Sequence, residues 1–196
     1  MRYLSIFLLL LTSTSLCAQT MRNTPKKTEA LDYRHSVSFT PFSGVVAYDY
    51  ANPGIGFDYE YMISPENGIG VHIPVVFGFA GPEQDFYNGY RHTSAYVAPG
   101  LRFHTGKGNN SRVDFATGPS VLIGNLHFGP SDDYYNPGNP QESYNYNMFG
   151  FVVDNSLNFY KGHFQFGFDV RVGSLLDVHE DSRFFIHFGM HFGGRF

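Results

Sequence analysis

The sequence predicts an all-β chain, an eight-stranded antiparallel up-and-down transmembrane β-barrel. Three observations predict it. The first is composition: of 196 residues, 21 are Phe, 14 Tyr and 22 Gly, while charged residues are only 15%. Such a mix favours strands and turns and is poor in helix formers. The second is periodicity. From about residue 35, apolar residues fall at every second position in eight segments separated by turn-forming residues. A period of two is that of a strand, whose successive side chains point to opposite faces. The third is that the connections alternate in length, as in a barrel with tight turns at one rim and longer loops at the other. A mean hydropathy of −0.21 excludes helical spans but suits a barrel wall, which needs only alternate residues to be apolar. Low charge with high aromatic content excludes a disordered chain. A net charge of −4 leaves no basic footprint for nucleic acid.

The elements follow in order. Residues 1–18 read as a secretory signal peptide: Arg2 precedes the apolar run Leu4 to Leu11, and small polar residues lead to Ala18. That apolar run is too short to span a bilayer as a helix. Cys17 raises the rival of a lipidated cysteine, but Leu16 is large where that signal wants a small residue. Cys17 is the single cysteine, so cleavage after Ala18 removes disulfides, Cys-ligated metals and a Cys nucleophile from the mature chain. Residues 19–34, with Pro25 and Lys26-Lys27, lack an apolar period and read as a flexible periplasmic lead-in. Residues 35–196 are the barrel, with strands expected at about 35–48, 54–63, 68–80, 92–104, 111–128, 143–160, 163–175 and 183–196. Most of these exceed the ~9–11 residues that a transmembrane strand needs and the ~5–6 usual in a soluble sandwich. Pro41, Pro74, Pro99 and Pro119 fall inside strands. A closed barrel has no edge to accept them, so bulges are expected there.

The last strand carries a further signal. Phe184, Ile186, Phe188, Met190, Phe192 and the terminal Phe196 share one face, opposite Arg183, His187, Gly189, His191, Gly193 and Arg195. On these residues the chain resembles the small eight-stranded outer-membrane barrels of Gram-negative bacteria, the OmpX-like and outer membrane protein beta-barrel domain group. The resemblance covers the chain from about residue 35. It implies residence in the bacterial outer membrane, and contact with outer-membrane lipid. It also implies recognition by the barrel-assembly machinery through Phe188, Met190, Phe192 and Phe196.

An eight-stranded barrel is just wide enough to be filled by its own side chains. Alternation sends Asp58, Glu60, Asp114, Asp154 and Asp169 inward, with Arg102, Arg112, Arg171, Arg183 and Arg195, and with His72, His92, His104, His163, His187 and His191. Buried charges require partners, so this set is expected to form a lumen polar network. Turn lengths suggest registers. A Lys161-Gly162 turn sets Asp154 opposite Asp169, with Arg171 one inward step along. Leu175 opposite Arg183 sets Arg171 against His187. Phe103 opposite Val113 sets Arg102 against Asp114, and Met62 opposite Gly70 sets Glu60 against His72.

Catalytic, metal and cofactor motifs are weak. His187 and His191 lie about 13 Å apart along one strand face, too far to share an ion, and no His-x-His or HExxH spacing occurs. No cofactor is expected. His92 and Ser94 share an inward face without a matching acid, whereas a lipid-modifying barrel enzyme needs its group at the lipid-facing surface. His127 faces lipid near a strand end. The loops 81–91 and 129–142, rich in Tyr, Asn, Gly and Pro, suit an extracellular ligand; Asp132-Asp133 lacks an EF-hand pattern. The expected function is therefore a non-enzymatic outer-membrane protein of structural or interaction type. Two alternatives stay open: a barrel enzyme that modifies lipid A or phospholipid, and a small-solute channel.

Overall fold

A computed structural model describes residues 33–47, 50–79, 90–105, 113–130, 143–176 and 184–196. The signal peptide, most of the lead-in, Arg112, Arg183 and nearly all of the loops 81–91 and 129–142 lie outside these residues. The strands are β1 (His35–Ala47), β2 (Tyr50–Ser64), β3 (Ile69–Gly78), β4 (Tyr90–Val97), β5 (Gly100–His104), β6 (Val113–Pro130), β7 (Tyr144–Lys161), β8 (Phe164–Leu175) and β9 (Phe184–Arg195). Segments β4 and β5 are two halves of one barrel strand, so nine segments make eight staves. All neighbours are antiparallel, and β9 pairs with β1 to close the sheet. Closure leaves no edge for another chain to pair with.

Closure is tied down at the C-terminus. The amides of Arg34 and His35 both donate to the Phe196 carbonyl, and the Phe196 amide donates back to His35. The Phe196 ring stacks on His35 at 5.8 Å. This rim carries the tight turns: a 3₁₀ turn at Pro65–Asn67 ending on Gly68 at φ 67°, and a hairpin whose Gly162 has φ 60°. Glycine takes this left-handed backbone without the steric cost of a Cβ.

Strand bounds depart from expectation in two places. β2 begins at Tyr50, not near 54, because only residues 48–49 separate it from β1. The fourth stave breaks at Ala98-Pro99. Of the four prolines, Pro41 alone sits in a register shift, between Thr40 and Ser43 on the β2 side. Pro74 and Pro119 hold regular register, and register also runs unshifted across Pro99. Proline removes one donor but keeps its carbonyl. Pro74 accepts from the Ala98 amide and Pro99 from the Val121 amide, so no bulge is required.

The outer face is apolar over a defined height. On β6 the outward residues run Val113, Phe115, Thr117, Pro119, Val121 and Ile123; on β7 they run Phe159, Leu157, Asn155, Val153, Phe151 and Phe149. Beyond them come Asn125 and His127 on β6, opposite Asn147 and Asn145 on β7. Eleven residues tilted at about 45° rise roughly 26 Å, matching the ~25 Å apolar band of a barrel wall. The change to polar residues falls at the same level on both strands, because Ile123 pairs with Phe149 and Asn125 with Asn147. Within the band, Thr117 donates to the Asn155 side chain at 2.9 Å, so these polar atoms satisfy each other away from water.

Candidate functional site

The lumen holds the polar groups, and alternation puts them there. Asp58, Glu60, His72, Arg102, Asp114, Asp154, Asp169, Arg171 and His187 are all buried. They join in three levels.

Arg171 forms the central level and is fully buried. Its Nε donates to Asp154 Oδ1 at 2.5 Å and one terminal nitrogen to Asp58 Oδ1 at 2.8 Å. The other donates to His187 Nδ1 at 2.7 Å. An arginine only donates, so His187 Nδ1 is an acceptor and its ring proton sits on Nε2. Ser120 donates to the second oxygen of Asp154 at 2.5 Å, and His72 Nε2 lies 2.8 Å from Asp58. In the level below, His191 Nδ1 is 2.5 Å from Asp169 and its Nε2 is 3.0 Å from Asn158 Oδ1. Arg102 is held more loosely, 3.5 Å from Glu60 and 3.7 Å from Asp169.

The lowest level is at the short-turn mouth. His104 Nδ1 contacts Asp114 at 2.5 Å, and its Nε2 contacts Glu60. With a carboxylate on each ring nitrogen, both nitrogens donate, which is the geometry of an imidazolium. Arg195 lies over the Tyr160 ring at 3.7 Å and the Tyr33 ring at 4.8 Å, a cation–π lid on the mouth. A void of about 50 Å³ beside it is lined by Tyr33, Glu60, His104 and Arg195 among others. A deeper void among Asp58, Glu60, Arg102 and Asp169 is only about 10 Å³, near the smallest space that admits one water.

Above Arg171 the lumen changes character. Tyr96 stands edge-on to His187 at 5.9 Å and to Phe185 at 5.2 Å. Beyond it the interior is packed with Val45, Val76, Leu122, Leu126, Met148, Val152, Leu175 and Phe185, all buried. Alternation alone does not reveal this apolar layer. Its signal is present all the same: near the loop rim both faces turn apolar at once, in Val121-Leu122-Ile123, Phe151-Val152-Val153 and Phe184-Phe185-Ile186.

Several expected pairings change. The hairpin turn is Gly162-His163, with Lys161 opposite Phe164. Asp154 therefore pairs with Arg171 directly, and Asp169 pairs with Ser156. Arg102 does not meet Asp114, since Phe103 pairs with Thr117; His104 takes Asp114 instead. Both slips are even-numbered, so every side chain keeps its face. Met62 pairs with Gly70, Glu60 with His72, and Arg171 with His187. Even so, Glu60 bonds diagonally to His104, and His72 to Asp58. His163 lies in the turn, exposed, with Nδ1 donating to the Arg195 carbonyl at 3.0 Å.

His92 and Ser94 are buried in the lumen, His92 edge-on to Phe128 at 4.6 Å; neither faces lipid. His127 lies outward, its Nδ1 2.8 Å from Asn145 Oδ1. No group of three or more His, Asp or Glu is arranged to hold a metal among the described residues. Of the C-terminal set, Phe188, Phe192 and Phe196 are exposed on the outer wall, and Met190 shares that face.

No protein-family model matches the chain, and no curated protein matches it. Solved structures do. The attachment invasion locus protein Ail of Yersinia pestis aligns over 85% of this chain and all of its own, with 17% identity and a TM-score of 0.56. A major outer membrane protein of Thermus thermophilus aligns over 82% of this chain and 99% of its own, with 12% identity and a TM-score of 0.60. Neisserial surface protein A aligns over 86% and 98%, with 8% identity and a TM-score of 0.54. The chain therefore has the fold of the small eight-stranded outer-membrane β-barrels, with the lipid-facing wall that such a barrel requires.

Proposed function

We propose that this barrel stands in a bacterial outer membrane as a non-enzymatic contact protein, its lumen a fixed plug and its long-loop rim the working surface. The observation that carries the reading is the two-part filling of the lumen. Paired charges occupy the lower half and mainly apolar side chains, with Asn52, His92 and Ser94 among them, the upper half, a filling that leaves solutes no path and puts the contact chemistry outside. The strands of β6 and β7 support it, since both run several residues past the apolar band at the long-loop rim, to Pro130 and Tyr144.

Ail has been solved with the heparin analogue sucrose octasulfate. The long-loop segments of this chain carry Glu83, Asp85, Asp132, Asp133, Glu142, Asp177, Glu180 and Asp181 against Arg91 and Arg183. Acidic loops repel a polysulfate. Their Tyr, Asn and Gly favour a neutral or cationic partner, either a protein surface or an uncharged glycan. In the same reading, Phe188, Met190, Phe192 and Phe196 present the outward C-terminal signature to the assembly machinery.

Display on cells tests the proposal. Cells carrying the full chain should be retained on an immobilised basic or neutral extracellular polymer. Replacing 131–142 with a short Gly-Ser linker should abolish that retention. Equal retention with and without the loop would overturn the reading.

A further inference from the structure

The outer wall is not uniformly filled. Around the β1 bulge it carries a notch of about 590 Å³ with an almost wholly apolar lining. We propose that this notch seats one acyl chain of an outer-leaflet lipid, recognised by its chain and not by its headgroup. The inference rests on the outer-membrane reading above.

The notch has a structural cause. The register shift at Thr40–Ser43 turns β1 through Pro41 and Phe42, and leaves Phe42 standing 69% exposed at its edge. The next outward position on β1 is Gly44, which has no side chain to fill the wall. The Phe188 ring lies across it, 2.2 Å from where a Cβ would be. Phe188, lying in over Gly44, then lines the notch together with Phe42.

Shape and direction select the occupant. From mid-wall at Phe168 on β8, the notch crosses Met190 on β9 and Phe42 on β1. It then passes Ile55 on β2 and reaches Phe79 at the long-loop end of β3. That course runs from mid-membrane to the outer rim, the course of a lipid chain whose headgroup lies at the long-loop side. The notch is continuous with the lipid-facing band, and its volume falls within the ~300–1,000 Å³ of ligand sites. Its polar lining is Ser43 and Asp169, and the Asp169 carboxylate is turned inward to His191. No charged group is left among the described residues of the notch to read a phosphate.

Native mass spectrometry of the full chain tests this. The barrel is folded into vesicles containing dipalmitoyl phosphatidylglycerol or dipalmitoyl phosphatidylethanolamine, then stripped stepwise by detergent. A 1:1 lipid adduct should outlast the bulk lipid, equally for both headgroups. Ile55→Trp, which fills the notch, and Phe42→Ser, which removes its edge, should each weaken the adduct about tenfold. Ile123→Trp on β6, four staves from β1 in either direction, should not. A folded barrel without a persistent adduct, or an adduct unchanged by both notch variants, overturns the inference and leaves the outer-membrane reading intact. A chain that does not insert into vesicles overturns both.

Discussion

Replacing Arg171 with methionine should destabilise the barrel more than any other single change to the lumen. The side chain is fully buried and donates to Asp154, Asp58 and His187 at 2.5, 2.8 and 2.7 Å. Arg171→Met keeps much of the volume but strands two buried carboxylates. Removing one partner of a buried ion pair costs about 3–5 kcal/mol. Serving two carboxylates places Arg171 in the upper part of that range. Ser120 and His72 still hold one oxygen of each, which keeps the cost from doubling. The assay is urea unfolding of the vesicle-inserted barrel. The chain has no Trp, so tyrosine fluorescence and the gel mobility of folded against unfolded barrel serve as readouts. Asp154→Asn in the same background should restore part of the loss, with a coupling of about 2 kcal/mol or more. A loss under about 1 kcal/mol, or strict additivity of the two changes, would refute the view that Arg171 holds these carboxylates together.

The remaining predictions concern glycines and the candidate enzyme residues. A Cβ on Gly118 would sit 1.9 Å from the Leu101 carbonyl oxygen, whereas on Gly44 it meets the rotatable Phe188 ring. Gly118→Ala should therefore cost about 1–3 kcal/mol and Gly44→Ala clearly less, as urea midpoints will show; the reverse order would contradict this packing. At Gly162 nothing lies within 4 Å of the added methyl, but φ is 60°, so Gly162→Ala should cost about 1–2 kcal/mol from backbone strain alone, and a neutral result would mean the turn is not left-handed. Ser94 is buried in the lumen, so the lipid A mass of cells expressing the full chain should equal that of cells expressing Ser94→Ala; an acyl chain lost only when Ser94 is present would establish the enzyme reading.

Faces are legible in the sequence and neighbours less so. The inward set of Asp58, Glu60, Arg102, Asp154, Asp169 and Arg171 follows from a period of two, and a period of two survives any even slip. Two-residue turns at Lys161-Gly162 and at Gly162-His163 both contain glycine and both keep Asp154 inward. They differ in whether Asp154 meets Asp169 or Arg171, and a glycine at 162 suits either turn, so only the pairing of Lys161 with Phe164 decides. Diagonal reach adds a second loss, since side chains as long as Arg102 and His104 bond to residues off the pairing line. Spacing rules for metals and triads make the histidines look like bystanders, yet His72, His104 and His191 supply the partners that the arginines lack in number. The upper apolar layer escapes a search for alternation. Where both faces are apolar, as at Leu122 and Phe185, a strand shows a run instead of a pattern.

Single-channel recording in a planar bilayer tests the sealed lumen most directly. With Arg195 over the mouth, Arg171 bonded across the middle and Leu122, Met148 and Phe185 packed above it, the full-length barrel should insert and show no steady conductance. Sustained ohmic openings from inserted, folded barrel would contradict it, because ions would then be crossing a lumen that the proposed plug closes.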